Sequence, residues 1–340
     1  MAPRILIIGA GAIGGVLAAK LTRAGADVTA LDAHRQHAEA MSLQGLIVDE
    51  LGTVYVTKIP AASSVGDLEG RFDFGIITLK SIYIEDAITP LVADGSIQTY
   101  VSLGNGLVQE RILAITGADS LLVGTVEWGA TNQGPGRVAQ TTSAPIVIGE
   151  PSGIITNRLL ELAAVLRGSS EVRLSSRIYG QVWSKLLLNS TLSGLGAISG
   201  LIYSDIVGDE TGRSLAISLW GEGLAVAQAQ GISLDEVAGL DPYRLEVTPV
   251  NSAEKAATAL DELMLRLGPT KASMLQDLQR GVPTEVDVIN GGVVRSAAST
   301  GIPTPLNEGI VRMVHECERG VRIPQVSNLK ELREKAGQSG

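Results

Sequence analysis

The chain has 340 residues, enough for about two domains that bury their cores without disulfides or metals. Hydrophobic residues make up 45% and charged residues 19%, which excludes global disorder. The net charge of −9 and the 3% aromatic content argue against a nucleic-acid-binding protein. No apolar run reaches the roughly 18 residues that span a bilayer, and no cleavable leader precedes the first strand. We therefore expect a soluble, cytoplasmic protein of two domains.

The first half of the chain alternates short β-branched runs with helical stretches, which predicts an α/β domain with a parallel sheet. The predicted strands are Arg4–Ile8, Ala26–Leu31, Phe74–Thr78, Tyr100–Leu103, Leu121–Trp128 and Glu171–Leu174. The predicted helices are Ala12–Ala24, Ile82–Val92 and Asn157–Leu166. The run Gly134-Pro135-Gly136 predicts a turn between antiparallel strands around Arg137–Thr142 and Ile146–Gly149.

From about Ile178 the pattern changes to long segments with a 3.6-residue period, which predicts an all-α domain. The predicted helices are Gln181–Ile198, Ser214–Gln230, Ala253–Leu267, Glu285–Ala298 and Leu306–Glu318. The predicted domains are a doubly wound, Rossmann-type domain over 1–175 and a helical substrate and dimerisation domain over 176–328. Residues 329–340 form a polar tail that we expect to be frayed.

A glycine-rich turn, Gly9-Ala10-Gly11-Ala12-Ile13-Gly14, follows the first predicted strand and opens the first helix. Gly9 allows a tight turn, Gly11 lets the backbone approach a pyrophosphate, and Gly14 lets the helix pack closely on the strand. The amides of the helix start, Ala12 and Ile13 among them, add a partial positive charge for phosphates. This pattern predicts that the first domain binds a dinucleotide.

Asp32 ends the second predicted strand, where an acidic side chain accepts hydrogen bonds from the ribose hydroxyls of NAD. The same carboxylate repels the 2′-phosphate of NADP. Arg35 lies three residues further on and is able to hold such a phosphate. The sequence therefore favours NAD and leaves NADP as the alternative.

A candidate chemical site lies in the second half, where Lys185 and Asn189 share one helix face at i and i+4. A lysine flanked by apolar residues is suited to act as a general acid if burial lowers its pKa. Pro283-Thr284-Glu285-Val286-Asp287 predicts a helix start with Thr284 as N-cap and Glu285 in the first turn. A surface lysine and a capping acid remain the alternatives for these two segments.

These residues resemble the ketopantoate reductase family in the same order along most of the chain. The motifs that carry the resemblance are Gly9–Gly14, Thr78-Leu79-Lys80, Asn105-Gly106, Trp183–Asn189, Ser273–Asp277 and Thr284–Gly291. The resemblance implies a Rossmann domain followed by an all-helical domain, with the active site in the cleft between them and a homodimer as the assembly. It also implies reduction of a 2-oxo acid to a 2-hydroxy acid with a nicotinamide cofactor.

The resemblance also implies roles for individual residues. Lys185 matches the general acid that protonates the ketone oxygen as hydride arrives from NAD(P)H. Asn105 matches a catalytic asparagine beside the nicotinamide, and Lys80 matches a lysine near the cofactor. The positions that match substrate-binding residues are Asn189, Ser193, Ser273 and Glu285, of which Glu285 also counts as catalytic.

Two departures from the family pattern keep alternatives open. Ser193 stands where the family usually has Asn, and the Asp32–Arg35 run replaces a cofactor-phosphate arginine. The default reaction is reduction of 2-dehydropantoate to pantoate, a step of pantothenate biosynthesis. The first alternative is an NAD-dependent D-2-hydroxyacid dehydrogenase with another substrate. The second is a non-catalytic NAD-binding sensor.

Other reactive side chains predict no further chemistry. His34, His37 and His315 lack metal-ligand spacing, so we expect no metal, and His34 and His37 are predicted to be solvated. Cys317 is the only cysteine of the chain, which excludes an intramolecular disulfide, and no His partner marks it as a nucleophile. Trp128 is expected either to line the substrate pocket or to pack in the core.

Overall fold

Two units of the described chain separate at Ile178, three residues after the predicted boundary. The computed structural model describes residues 2–337. The first unit comprises the chain up to Gly104 and Val108–Ile178, and the second comprises Asn105–Leu107 and the chain from Tyr179 onward. Met1 of the predicted first domain and residues 338–340 of the predicted tail lie outside the described residues.

The first unit is built around a sheet whose central strands are continuous apolar runs, as expected for strands covered on both faces. Its strands in spatial order are β12-β11-β8-β7-β6-β1-β2-β5, and all neighbours are parallel except β11 and β8. The strands of this unit, in chain order, are β1 (Arg4–Ile8), β2 (Asp27–Leu31), β3 (Leu46–Glu50), β4 (Thr53–Thr57), β5 (Ala61–Ala62), β6 (Phe72–Ile77), β7 (Ile97–Ser102), β8 (Leu121–Val126), β9 (Ala130–Gly134), β10 (Arg137–Gln140), β11 (Ile146–Gly149) and β12 (Val172–Leu174).

The strand order confirms the Rossmann-type prediction. From β1 the chain runs to β2 and β5 on one side and to β6, β7 and β8 on the other. This is the order of a doubly wound dinucleotide-binding sheet, with its reversal point between β1 and β6. Ligands of such sheets bind outside the carboxyl ends of the strands at that point. The glycine-rich turn follows β1 and the Thr78-Leu79-Lys80 run follows β6, so both lie at this edge.

A second, smaller sheet was not predicted from the sequence. Its strand order is β4-β3-β10-β9, with β3 and β10 parallel and the outer pairs antiparallel. Gly134-Pro135-Gly136 does form a turn between antiparallel strands, but it joins β9 to β10. The predicted partner, β11, pairs with β8 in the large sheet instead. The error arose because β9, with the sequence ATNQG, has no apolar run that marks a strand.

The described residues of the first unit form five α-helices between its strands. They are α1 (Ala12–Arg23), α2 (Arg35–Glu39), α3 (Ile84–Asp94), α4 (Gln109–Thr116) and α5 (Asn157–Leu166). Helix α1 also packs on the small sheet. Its Gly15 faces Val138 and Leu46, whose side chains lie 3.1 Å and 3.4 Å from the position that a Cβ at Gly15 would take. Lys20 at the end of α1 forms an ion pair with Glu50 at 2.8 Å and donates to Gln140 at 3.1 Å.

The second unit, where the structure describes it, contains helices and no strand longer than an isolated bridge. Its helices are α6 (Ile178–Leu188, which begins at the last residue of the first unit), α7 (Gly194–Ser199), α8 (Tyr203–Gly208), α9 (Glu210–Ala229), α10 (Ala253–Leu267), α11 (Ser273–Arg280), α12 (Asn290–Ala298), α13 (Pro305–Glu318) and α14 (Ser327–Ala336). None of the helices within residues 2–337 is both long and apolar enough to cross a membrane.

Three predicted features of the helical unit need correction. The predicted helix Gln181–Ile198 is interrupted by a π-helical turn over Asn189–Ser193. The predicted helix over Glu285–Ala298 begins only at Asn290, because the preceding residues form turns that include an i+5 bond from the Gly291 amide to the Val286 carbonyl. The tail is helical as α14 rather than frayed, because its two leucines are buried and Arg322 binds Glu331 at 2.8 Å.

Candidate active site

The glycine-rich turn has the close contacts that its glycines predict. Gly9 has φ +90°, and a Cβ built there would lie 2.5 Å from Leu79 Cδ2. A Cβ at Gly14 would collide with the Gly9 carbonyl oxygen and the Thr78 hydroxyl. Around a Cβ built at Gly11, by contrast, no described atom beyond the two neighbouring residues lies within 4 Å. The turn is therefore closed at Gly9 and Gly14 and open at Gly11, beside the N-terminus of α1.

The Thr78-Leu79-Lys80 run is attached to the glycine-rich turn. The Thr78 amide donates to the Ile8 carbonyl at 3.0 Å, and its hydroxyl donates to the Gly9 carbonyl at 2.6 Å. Half-buried Lys80 comes next and precedes a short 3₁₀ turn. Lys80 thus belongs to the same edge of the sheet as the predicted phosphate site.

Asp32 lies at the same edge, because β1 and β2 pair with Ile8 opposite Leu31. Its carboxylate accepts a hydrogen bond from the His34 amide at 2.9 Å, and its own amide donates to the Ala62 carbonyl at 3.0 Å. Exposed Arg35 forms an ion pair with Glu39 at 2.8 Å, and this hydrogen bond raises the pKa of Arg35. Arg35, the alternative phosphate ligand, therefore contacts an acid on its own helix.

His37 is buried rather than solvated, contrary to the sequence prediction. The Gly136 amide donates to its Nδ1 at 2.9 Å, which requires Nδ1 to be bare and the proton of a neutral ring to lie on Nε2. Nε2 then donates to the Ala10 carbonyl at 2.8 Å. No sequence signal separates this histidine from its exposed neighbour His34, because both contacts depend on chain segments distant from α2.

The residues of this edge fit a dinucleotide. The open space at Gly11 leaves the backbone accessible to a pyrophosphate, and the following helix start offers amides and a partial positive charge. The carboxylate at the end of β2 suits a ribose. Ala12 and Ile13 form the first turn of α1, where helix amides have no intrahelical acceptor.

Lys185 lies in the last turn of α6, and Asn189 opens the π-helical turn that follows. Both are half-buried. The helix is anchored beside Lys185 by buried Ser184, whose hydroxyl donates to the Asp235 carbonyl at 2.6 Å. π-Helical turns occur mostly as single insertions in helices and often mark functional sites. The insertion shifts Ser193 away from the position that an uninterrupted α-helix would give it relative to Lys185.

Asn105 and Glu285 are brought together although they are 180 residues apart in the chain: the Asn105 Nδ2 donates to Glu285 Oε2 at 3.0 Å. The Leu107 amide also donates to the Val288 carbonyl at 2.9 Å. Gly106, which lies between Asn105 and Leu107, has φ +68°. A Cβ at Gly106 would collide with the carbonyl of Val288. The segment Asn105–Leu107 therefore depends on glycine for its close contact with the segment that carries Glu285.

A second set of hydrogen bonds holds the backbone before Glu285. Glu318 accepts from the Thr284 amide and hydroxyl at 2.8 Å each, and its other oxygen is 2.7 Å from His315 Nδ1. His315 Nε2 lies 3.0 Å from Asp287. Thr284 Oγ1 in turn accepts from the Val286 amide at 3.3 Å, as an N-cap does, although no regular helix begins there. No sequence signal marks Glu318, which lies at the end of a different helix.

Burial and hydrogen bonding oppose each other in this set. Burial raises the pKa of Glu318, but the hydrogen bonds from Thr284 and His315 lower it by more. The pKa of Glu318 is therefore below its ordinary value. Burial lowers the pKa of His315, and the bonds to Glu318 and Asp287 outweigh it and raise the pKa. Both shifts favour the charged forms, which strengthens the contact with Thr284.

Ser193 and Ser273 are both predicted to bind the substrate, and their hydroxyl oxygens lie 3.4 Å apart. Ser193 is fully buried, while Ser273 is exposed at the start of α11. The Tyr203 hydroxyl lies 3.5 Å from Ser193 Oγ, and burial raises the pKa of that phenol.

Trp128 packs in the core of the sheet unit. Within residues 2–337, no group of three His, Cys, Asp or Glu side chains is placed to hold a metal ion.

Two protein-family models match the chain. The family described as "Ketopantoate reductase PanE/ApbA" matches residues 5–153, and "Ketopantoate reductase PanE/ApbA C terminal" matches residues 177–318. A 2-dehydropantoate 2-reductase of Mesorhizobium japonicum is 28% identical over 344 residues, covering 93% of this chain and 99% of the relative. That of Pyrococcus horikoshii is 29% identical over 314 residues, covering 89% and 94%.

Solved structures share the fold. A PanE/ApbA family ketopantoate reductase from Ralstonia eutropha superimposes with a TM-score of 0.77 at 26% identity, covering 93% of this chain and 99% of that one. D-mandelate dehydrogenase in complex with NADH and anilino(oxo)acetate gives a TM-score of 0.79 at 22% identity, covering 94% and 100%. The latter likeness is one of fold.

Proposed function

Because the chain belongs to the ketopantoate reductase family of nicotinamide-dependent oxidoreductases, we propose that it reduces 2-dehydropantoate to pantoate. The family acts on 2-oxo acids, and the curated relatives named above are 2-dehydropantoate 2-reductases. The observation that carries the proposal is the 3.0 Å bond between Asn105 and Glu285, which joins two predicted site residues from distant parts of the sequence. The homodimer and the cytoplasmic location stay predictions.

We assign Lys185 as the proton donor to the ketone oxygen of the substrate. When bound, the nicotinamide supplies the hydride to the ketone carbon. Asn105 is oriented by Glu285 to hold the substrate near that lysine, and Glu285 also binds a substrate hydroxyl. Asn189 and exposed Ser273 supply further hydrogen-bonding groups for hydroxyl and carboxylate oxygens, and buried Ser193 positions the Ser273 hydroxyl. Lys80 and the glycine-rich turn hold the cofactor.

Glu285→Gln should raise the KM for the 2-oxo acid by about tenfold, because a hydrogen bond to a charged group is worth roughly 1.5–3 kcal/mol. The amide keeps the shape and the contact with Asn105 but loses the charge. Steady-state kinetics at saturating cofactor measure the effect. Exposed Glu254→Gln on α10 is the matched control and should behave as wild type. Unchanged kinetics in Glu285→Gln would reduce this acid to a structural one.

We propose NADH as the preferred cofactor, and Asp32→Ala should narrow or reverse the preference over NADPH. Two unit charges about 4 Å apart repel by about 4 kcal/mol at an effective dielectric near 20, and a third of that is about tenfold. KM values for both cofactors in wild type, Asp32→Ala and Arg35→Ala measure it. Arg35→Ala should change little, because Glu39 already binds that arginine. A tenfold wild-type preference for NADPH would contradict the proposal.

A second candidate, an NAD-dependent D-2-hydroxyacid dehydrogenase, is favoured by two observations. Ser193 stands where the family usually has Asn, and its hydroxyl is already close to Tyr203 and Ser273. A serine hydroxyl in place of an asparagine amide changes which hydroxyl or carboxylate group of a substrate can be paired at this position. The D-mandelate dehydrogenase with the same fold was solved with NADH.

The proposal is tested by oxidation of NADH and NADPH with a panel of 2-oxo acids that includes 2-dehydropantoate, phenylglyoxylate and branched aliphatic acids. The highest kcat/KM with 2-dehydropantoate is the expected result. A preference of tenfold or more for another acid would establish the second candidate. Cofactor binding without turnover of any acid would favour the sensor.

A further inference from the structure

We infer that His37 is a positioning residue that fixes the nucleotide-binding turn of this enzyme through the Ala10 carbonyl. The inference rests on the nicotinamide cofactor of the proposed function and concerns a residue outside the glycine-rich motif. His37 lies on α2 and is 3% exposed, with both ring nitrogens hydrogen-bonded to backbone groups. One partner belongs to the cofactor turn and the other to the β9–β10 turn.

The ring is anchored on the side of the small sheet. The Gly136 amide donates to Nδ1 at 2.9 Å, and the Gly136 carbonyl accepts from the Ile47 amide of β3 at 2.9 Å. Gly136 has φ +73°, and a Cβ there would lie 2.9 Å from Ala40. This packing leaves the backbone at Gly136 little freedom. The Gly136 amide therefore sets both the position and the tautomer of the imidazole.

The other ring nitrogen acts on the cofactor turn. The α1 ladder begins at the Gly11 carbonyl, which accepts from the Gly15 amide at 2.9 Å, so the Ala10 carbonyl stands before the helix. His37 Nε2 holds that carbonyl at 2.8 Å. Because a trans peptide directs its C=O and N–H to opposite sides, holding the Ala10 carbonyl directs the Gly11 amide away from His37.

The peptide between Ala10 and Gly11 needs such a restraint. Glycine is conformationally permissive, and no described atom beyond the two neighbouring residues lies within 4 Å of a Cβ at Gly11. No side chain at Gly11 therefore helps to fix the direction of its amide, and the imidazole adds that constraint to the packing of buried Ala10. A fixed amide direction lowers the entropy that must be lost when a pyrophosphate binds.

Two substitutions separate the two contacts. His37→Gln places a donor near the position of Nε2, whereas His37→Asn places an acceptor near Nδ1 and loses the contact with Ala10. We expect the Kd for NADH to rise about tenfold in His37→Asn and to stay within about threefold in His37→Gln. At saturating NADH, kcat should change little in either variant. Exposed Gln36→Ala on the same helix is the control.

Calorimetric titration with NADH and with NADPH, together with the Tm of the cofactor-free proteins, provides the readouts. Equal Kd values in the Asn and Gln variants would overturn the inference and leave His37 a structural residue. If His37→Asn does not fold, imidazole ¹⁵N NMR of the wild type decides: a proton on Nε2 supports the inference, and one on Nδ1 overturns it. If the wild type binds neither cofactor, the proposed function fails instead.

Discussion

Lys185→Ala should lower kcat by about 10²-fold or more and leave the Kd for the cofactor nearly unchanged. General acid catalysis typically contributes 10²–10⁴-fold, and alanine at this position removes the proton donor without a new charge. Lys185 is half-buried in the last turn of α6, and the Ser184 hydrogen bond to the Asp235 carbonyl anchors this turn. The lysine is therefore held in a defined position for proton transfer. Single-turnover oxidation of NADH by the best 2-oxo acid measures the chemical step.

A second variant distinguishes the proton from the charge at this position. Lys185→Arg keeps a cation, but a guanidinium does not give up its proton in proteins. It should therefore remain as slow as Lys185→Ala while binding the acid substrate more tightly than that variant. Lys330→Ala on α14, where the side chain is exposed, should match wild type. Turnover near the wild-type level in Lys185→Ala would make Lys185 an ordinary surface lysine.

The strand–turn–helix unit from β1 to α1 was predictable because its signals are local. Ile5–Ile8 is a continuous apolar run, and the glycines follow it at once. The hairpin of β3 and β4 was missed although it carries local signals: Thr53–Thr57 consists of residues that favour strands, and Gly52 lies in the two-residue connection. The pairing of β3 with β10 joins segments that are far apart in the chain, so it is not visible in one stretch of sequence.

The start of α12 shows how a helical pattern misleads. The sequence from Thr284 has an N-cap residue followed by Glu285 and Asp287, acids that suit the first turn of a helix. The backbone forms turns instead, held by Glu318 on Thr284 and by the Leu107 amide on the Val288 carbonyl. These contacts come from remote segments, so local propensity could not reveal them.

The residues of the candidate site also fall into two groups, those that local sequence patterns predict and those that depend on remote contacts. The glycine-rich turn and Asp32 follow from local pattern and from known cofactor chemistry. Resemblance to a family implied roles for Asn105 and Glu285 separately, but their contact was not predicted, because no spacing rule relates residues so far apart. His37 and Glu318 were missed altogether, since each acts through bonds to backbone atoms of other elements.

Gly14→Ala should destabilise the cofactor-free protein by about 1–3 kcal/mol or more, the range for an added group in a filled space. The new methyl would collide with the Gly9 carbonyl oxygen and the Thr78 hydroxyl. The carbonyl belongs to a turn that Leu79 also packs against, and the hydroxyl is committed to the same carbonyl at 2.6 Å. Relief therefore requires α1 to move away from β1. Denaturant unfolding without cofactor measures the change.

Gly11→Ala is the matched control for Gly14→Ala, because both add one methyl to the same turn. Around Gly11 no atom beyond its chain neighbours lies within 4 Å of the new Cβ, so the loss of stability without cofactor should be the smaller of the two, about 0.5–1 kcal/mol for alanine in place of the N-cap glycine. The methyl would instead stand where the backbone must approach the pyrophosphate, and the Kd for NADH should rise about tenfold or more. The two variants thus predict opposite patterns of stability and binding. If Gly14→Ala were as stable as wild type, or Gly11→Ala bound NADH normally, the assignment of these two glycines would be wrong.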